Sequence, residues 1–211
     1  MKLHLGCGQK YLEGYLNIDF PISEHSVQTN SIADEHHDIL NLSYATETIS
    51  EVRLHHVFEH FDRPTAAALL ASWNSWLKKG GVLRIEVPDF EKNAKAALSS
   101  FKNQNKKKVA LRHLFGSHEA FWAFHYEGYS EWLLKDLLES FGFRIQQVLR
   151  NQWHGTYNIE VIAIKERALS NNDAEVSARN YLSGFLLDES EMPLLEIWIT
   201  QFIHQLGKTS K

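Results

Sequence analysis

Apolar and polar residues alternate from the start of the chain. Leu3-His4-Leu5 puts two leucines on one side and a histidine on the other, the period-two pattern of a strand, and runs directly into Gly6-Cys7-Gly8. Residues 15–20 predict a second strand, ending at the acid Asp19. Residues 21–37 are polar and carry no helical period. Residues 38–42 predict the end of a third strand and 52–56 a fourth. The period then lengthens. Leu69, Trp73, Trp76 and Leu77 recur at helical spacing behind Asp62 as N-cap and Pro64 in the first turn, with Gly80-Gly81 as the expected stop. A strand over 82–87 follows, bounded by glycines and Pro88. Strands alternating with helices predict a parallel α/β sheet.

Residues 91–112 predict one helix with Ala94, Ala97, Leu98 and Phe101 on one side, and Lys106-Lys107-Lys108 as a solvated patch. Ser130 and Gly142 bracket a further helix with Leu133, Leu134, Leu137, Leu138 and Phe141 as its buried stripe. Residues 143–149 and 159–164 predict two closing strands, paired as an antiparallel hairpin around 150–157. Composition turns polar at 170–173, which divides a domain over 1–168 from a C-terminal helical extension over 169–211. Its last helix carries Leu195, Trp198, Ile199, Phe202 and Leu206. Such a stripe must be covered; the expectation is docking on the core together with a homodimer that buries the Trp198 face.

Composition narrows the class. The 211 residues are 44% hydrophobic and 23% charged, an ordinary globular balance. A net charge of −4 offers no basic surface to a phosphate backbone, so no nucleic-acid partner is expected. No run approaches the roughly 20 apolar residues of a membrane span, so no membrane partner is expected either. Cys7 is the single cysteine and allows no internal disulfide. With no signal-peptide pattern at the start, a cytoplasmic protein is expected.

The glycine loop carries the first chemistry. Gly6 and Gly8 let the backbone approach a ligand closely. A dinucleotide fingerprint would need a third glycine where Tyr11 stands, and its acid about 20 residues on, whereas Asp19 lies eleven residues past Gly8. Nicotinamide cofactors therefore fit poorly, while a carboxylate at the end of the second strand still suits paired ribose hydroxyls.

Four strings in order, 3–8, 14–19, 56–60 and 77–89, resemble a class I S-adenosylmethionine-dependent methyltransferase. The likeness is to the bacterial subgroup often associated with cell-envelope sugar biosynthesis, and it covers about residues 1–165. It implies a Rossmann-like, seven-stranded, mostly parallel sheet with helices on both faces and a C-terminal antiparallel strand. It also implies S-adenosylmethionine across the carboxyl ends of the first strands. Gly6, Cys7 and Gly8 would line its methionine part, Asp19 would accept from the ribose, and Asp38 with Ile39 would meet the adenine. His55 and His56 would sit near the sulfonium. Two departures stand out: His4 occupies a position where many members carry an acid, and the loop lacks its third glycine. The first helix must be very short or irregular.

His56-Val57-Phe58-Glu59-His60 also matches the H-x-x-E-H spacing of some zinc peptidases. Zinc ligation at that spacing needs a settled helix, and here the string straddles a strand end, so no metal is expected. His36-His37 read as loop surface. Residues 113–129 gather Phe115, Phe121, Trp122, Phe124, Tyr126 and Tyr129 with His113, His118 and His125. This is either an aromatic plug in the core or a wall for a flat substrate such as a sugar. The expected function is small-molecule methyl transfer, most specifically O-methylation of a sugar or glycan precursor, with His56, Asp89 and His125 as candidate bases. The alternatives are a non-catalytic S-adenosylmethionine-binding module and, less well supported, a nicotinamide-dependent oxidoreductase.

Overall fold

In the computed structural model, which describes residues 1–24 and 30–209, seven strands make one sheet. They are β1 (Lys2–Leu5), β2 (Leu16–Asp19), β3 (Glu35–His36), β4 (Ile49–His55), β5 (Leu77–Pro88), β6 (Phe143–Trp153) and β7 (Thr156–Lys165). Their order is β3-β2-β1-β4-β5-β7-β6, with β7 antiparallel to both neighbours and every other pair parallel. The helices are α1 (Arg63–Trp76), α2 (Phe90–Leu98), α3 (Gln104–Phe115), α4 (Glu131–Ser140), α5 (Asn171–Ser183) and α6 (Met192–Thr209). This is the Rossmann-like sheet with an antiparallel closing hairpin that the sequence predicts. Of the polar stretch 21–37, residues 25–29 lie outside the described residues.

Strand alternation gives the sheet two unlike faces. Leu3, Leu5, Ile18, Val52, Leu54, Leu83, Ile85, Val87, Ile159, Val161 and Ala163 are all buried and share one hydrophobic core with α1, α4, α5 and α6. The other face carries His4, Asn17, Arg53, Arg84 and Glu160. There Glu160 Oε1 takes Arg84 at 3.0 Å and Arg53 at 3.6 Å. The α2–α3 pair flanks that face at the strand ends, where His113 Nε2 meets Asn158 Oδ1 at 2.7 Å.

Local expectations shift in four places. Helix α1 ends at Trp76 rather than at the glycines, because Leu77 is fully buried as the first residue of β5, opposite Ile49. The expected helix over 91–112 is two helices: Asn103 caps α3 by accepting from Lys106 N, and Leu98 at the end of α2 and Phe101 in the link are exposed. The buried positions of α2 are Asn93 and Ala96, since Asn93 Nδ2 donates to Tyr157 O. The third strand is only Glu35–His36, and residues 39–41 form a 3-10 turn capped by Asp38. The closing hairpin turns at His154-Gly155, both at positive φ as a tight two-residue turn requires, so its strands run longer than expected.

The stripe of α6 is covered within the chain. Leu195, Ile199, Phe202 and Leu206 are buried against α1 and α5, and Phe202 packs beside Phe141 at 6.5 Å between ring centroids. Trp76 Nε1 donates to Thr209 O at 3.3 Å. The argument from an uncovered stripe to a second copy therefore does not hold. Among the described residues, no helix is long and apolar enough to cross a membrane.

Candidate active site

The carboxyl ends of β1, β2 and β4 open onto a cleft of about 530 Å³. Gly6, Cys7, Gly8, Asp19, Asp38, Ile39 and His55, scattered over fifty residues of sequence, all line it. The floor needs glycine at Gly6: φ is +66° and a Cβ would lie 2.3 Å from Val57 Cγ2. Gly8, at φ +52°, leaves open space where a Cβ would stand. Cys7 N donates to Ile18 O at 3.0 Å, tying the loop to β2, and no helix intervenes before β2. Burial, with the Asp19 charge beside it, pushes the Cys7 thiol up to about 11.

Asp19 holds the clearest vacancy for a donor. Its Oδ1 accepts from Phe20 N at 2.9 Å, while its buried Oδ2 has no hydrogen-bond partner among the described residues. A buried carboxylate oxygen without a donor is costly, and two ribose hydroxyls are the donors that a nucleoside would bring. Asp38 is occupied differently. It accepts from Leu40 N at 2.9 Å and Asn41 Nδ2 at 3.1 Å, so it fixes the turn that sets Ile39 on the wall. That turn is held from behind by α6, where Gln205 Nε2 donates to Leu40 O at 2.7 Å.

The candidate bases fare unequally. His56 lines the cleft at φ +53°, a left-handed bend just past the end of β4. Its Nδ1 lies 3.2 Å from Glu59 Oε1 and its Nε2 3.5 Å from Glu86 Oε1. Burial lowers its pKa, but the two carboxylates outweigh burial and raise it to about 10. The imidazole already carries its proton near neutrality and is a poor base. Asp89 is outside the cleft. It is a buried N-cap for α2, accepting from Lys92 N at 3.0 Å, and borders a separate cavity of about 310 Å³ with Glu131 and Arg150. The acid after β5 is therefore explained by helix capping.

His125 belongs to a cluster that the sequence does not join. Glu59, 1% exposed, sits in the 3-10 turn Phe58–His60, with His125 Nε2 3.9 Å from its Oε1 and the His60 and His125 rings 4.7 Å apart. Burial pushes the Glu59 carboxyl up, yet the surrounding histidines win and hold it below its ordinary value. Burial lowers His125 to about 4. The H-x-x-E-H string is not α-helical, and its two histidines part: His56 bridges Glu59 and Glu86, while His60 lines the cleft.

The aromatic segment divides. Tyr129 is core, stacked on Phe58 at 5.1 Å, whereas Phe121, Trp122 and Tyr126 line the cleft. Lys10, His37 and His60 also line it and were not singled out as cleft residues by sequence. His37, expected as plain surface, pairs with Glu35 at 3.2 Å on the rim.

No family model matches the sequence, and no relative is found among curated proteins. The fold, by contrast, recurs in solved structures. A SAM-dependent methyltransferase from Methanosarcina mazei superposes with a TM-score of 0.51 at 16% identity, covering 77% of this chain and 91% of that one. The 1,6-didemethyltoxoflavin-N1-methyltransferase of Burkholderia thailandensis, solved with its substrate and S-adenosylhomocysteine, gives 0.53 at 14% identity over 78% and 70%. An S-adenosylmethionine-dependent methyltransferase from Mesorhizobium loti gives 0.50 at 13% identity over 77% and 89%.

Proposed function

We propose that this chain is an S-adenosylmethionine-dependent methyltransferase acting on a small hydroxylated molecule, most specifically a sugar or glycan precursor. The observation that carries the reading is Asp19 Oδ2: a buried carboxylate oxygen without a partner among the described residues, on the cleft beside the Gly6-Cys7-Gly8 loop. The recurrence of the fold among methyltransferases agrees with it. When bound, S-adenosylmethionine supplies an electrophilic methyl group on a sulfonium.

The chain's own part is placement. The glycine loop lets backbone approach the amino-acid end, Asp19 accepts from the ribose, and Ile39 on its capped turn packs against the base. Phe121, Trp122 and Tyr126 face the acceptor, and their flat apolar surfaces suit a sugar ring. Holding two reactants in line is worth a large factor, since effective molarities reach about 10⁵–10⁸ M in favourable cases. Activation of the acceptor falls to the Glu59–His60–His125 group, which reaches the cleft through His60, because His56 keeps its proton and Asp89 lies elsewhere. A homodimer through α6 would have to use its exposed Met192, Ile197 and Ile203.

The test is incubation with methyl-labelled S-adenosylmethionine and a panel of sugars, nucleotide sugars and phenols, followed by mass spectrometry. Gain of one methyl group on a hydroxyl supports the reading. Binding of S-adenosylmethionine with no transfer to any acceptor favours the non-catalytic module, and binding of a nicotinamide dinucleotide instead overturns the cofactor.

A further inference from the structure

We propose that Glu59, His60 and His125 form a binding site for one divalent transition-metal ion beside the cleft, which it meets at His60, with its open positions towards the acceptor. The three residues come from two segments, the turn after β4 and the aromatic segment before α4, and each offers one ligand atom, all within 4.8 Å of one another. Two imidazoles and one carboxylate are a ligand set for zinc or another borderline first-row ion that leaves coordination positions free.

Three details favour an ion over a plain hydrogen-bonded cluster. Glu59 is 1% exposed; its Oε1 pairs with His56 Nδ1 at 3.2 Å, but its Oε2 has no hydrogen-bond partner among the described residues, an unusual state for a buried carboxylate oxygen. His125 Nε2 stands 3.9 Å from Glu59 Oε1, too far for a hydrogen bond. His60 Nδ1 must donate to Phe124 O at 3.0 Å, since a carbonyl can only accept. That fixes Nε2 as the nitrogen that can offer a lone pair to an ion, and a carbonyl-anchored imidazole is the common outer arrangement of a ligating histidine. Closing the three atoms around an ion at about 2.0–2.2 Å asks for side-chain approach of about an ångström.

The set is not the one the H-x-x-E-H string suggests. His56 has both ring nitrogens engaged, Nδ1 with Glu59 Oε1 at 3.2 Å and Nε2 with Glu86 Oε1 at 3.5 Å, so it supports Glu59 from outside the set, and His125 is the second imidazole. His60 also lines the cleft, so an ion here meets the acceptor side of the site. Resting on the methyltransferase reading, its use is acceptor activation. The ion draws electron density from the acceptor O–H, which gives its proton to water. The oxygen lone pair then forms the O–CH₃ bond while the C–S bond breaks and its electron pair returns to sulfur.

The experiment titrates the full-length, chelator-stripped protein with Zn²⁺ against a chromophoric indicator, and separately records Co²⁺ absorption in the visible range. One Zn²⁺ per chain is expected. His125→Ala should weaken it at least about 100-fold, and His56→Asn, which tolerates the positive φ, by less than about 10-fold. His60→Gln serves the same purpose if His125→Ala does not fold. No stoichiometric Zn²⁺ in the wild type, equal affinity in the His60 and His125 variants, or a loss in His56→Asn as large as in His125→Ala overturns the site. S-adenosylhomocysteine binding measured in chelator is independent of these results. Its failure removes the methyltransferase reading and leaves the ion site, and the reverse also holds.

Discussion

His4 Nδ1 lies 3.0 Å from Asn17 Oδ1, across the register pair that joins β1 to β2. The contact explains how a histidine stands where the resembling family often has an acid. His4 is fully buried and serves the sheet, within a directional chain. Arg53 can only donate, and does so to His55 Nε2 at 3.1 Å; His55 Nδ1 then gives its proton towards His4 Nε2 at 3.3 Å, and His4 Nδ1 gives its own to Asn17. Both imidazoles are thereby set in their neutral form.

Acid should therefore weaken the fold. Burial first, then the Arg53 and Lys10 charges, lowers His4, although Asn17 opposes them; burial, Lys10 and Arg53 lower His55 to about 3. Below about pH 6.5 the unfolded chain takes up protons at these two sites more readily than the folded chain does. Stability therefore falls with pH by up to about 1.4 kcal/mol per unit for each histidine. Urea melts from pH 7.5 to 5 should show this loss, and His55→Gln should flatten the slope. An unchanged slope in His55→Gln would contradict the neutral chain.

Cys7 should be a slow thiol. With its pKa up at about 11, about one molecule in a thousand carries thiolate at pH 8. Maleimide labelling in the native state should run far slower than in urea, and slower again with S-adenosylhomocysteine present. Labelling as fast as a free thiol would contradict the burial of the loop.

Gln205→Ala tests whether the C-terminal helix supports the cleft. Losing the 2.7 Å bond to Leu40 O frees the turn that presents Ile39, so affinity for S-adenosylhomocysteine should drop about 3- to 10-fold, with the melting temperature changed by only a few degrees. Calorimetry giving wild-type affinity would reduce α6 to packing alone.

Phe202→Ala should cost about 3–5 kcal/mol in urea unfolding, the range for removing a large aromatic from a core. Phe202 is fully buried beside Phe141. A cost under about 1 kcal/mol would mean that α6 docks loosely.

What the sequence discloses follows from the range of the interactions. The strands are legible because alternation is local: Leu3, Leu5 and Ile18 face the core, His4 and Asn17 the polar side. The glycine loop and Asp19 are legible because they sit at the ends of such strands. The single helix over 91–112 misleads because Leu98 and Phe101 look like core residues yet are exposed, while the cap signal at Asn103 is short and easily passed over. Asp89 looks catalytic by position, and only its bond to Lys92 N shows it to be a cap. The Glu59–His125 approach joins residues 66 positions apart, and no local pattern encodes it.

Calorimetric titration of S-adenosylhomocysteine into the wild type and Asp19→Ala reads the cofactor claim most directly. Asp19 Oδ2 is a buried acceptor waiting for donors, and two hydroxyl bonds to a carboxylate are worth about 1.5–3 kcal/mol each. The wild type should bind one equivalent, and Asp19→Ala should bind at least about 10-fold more weakly while melting within a few degrees of the wild type. No binding by the wild type, or equal affinity in the two proteins, would contradict the account.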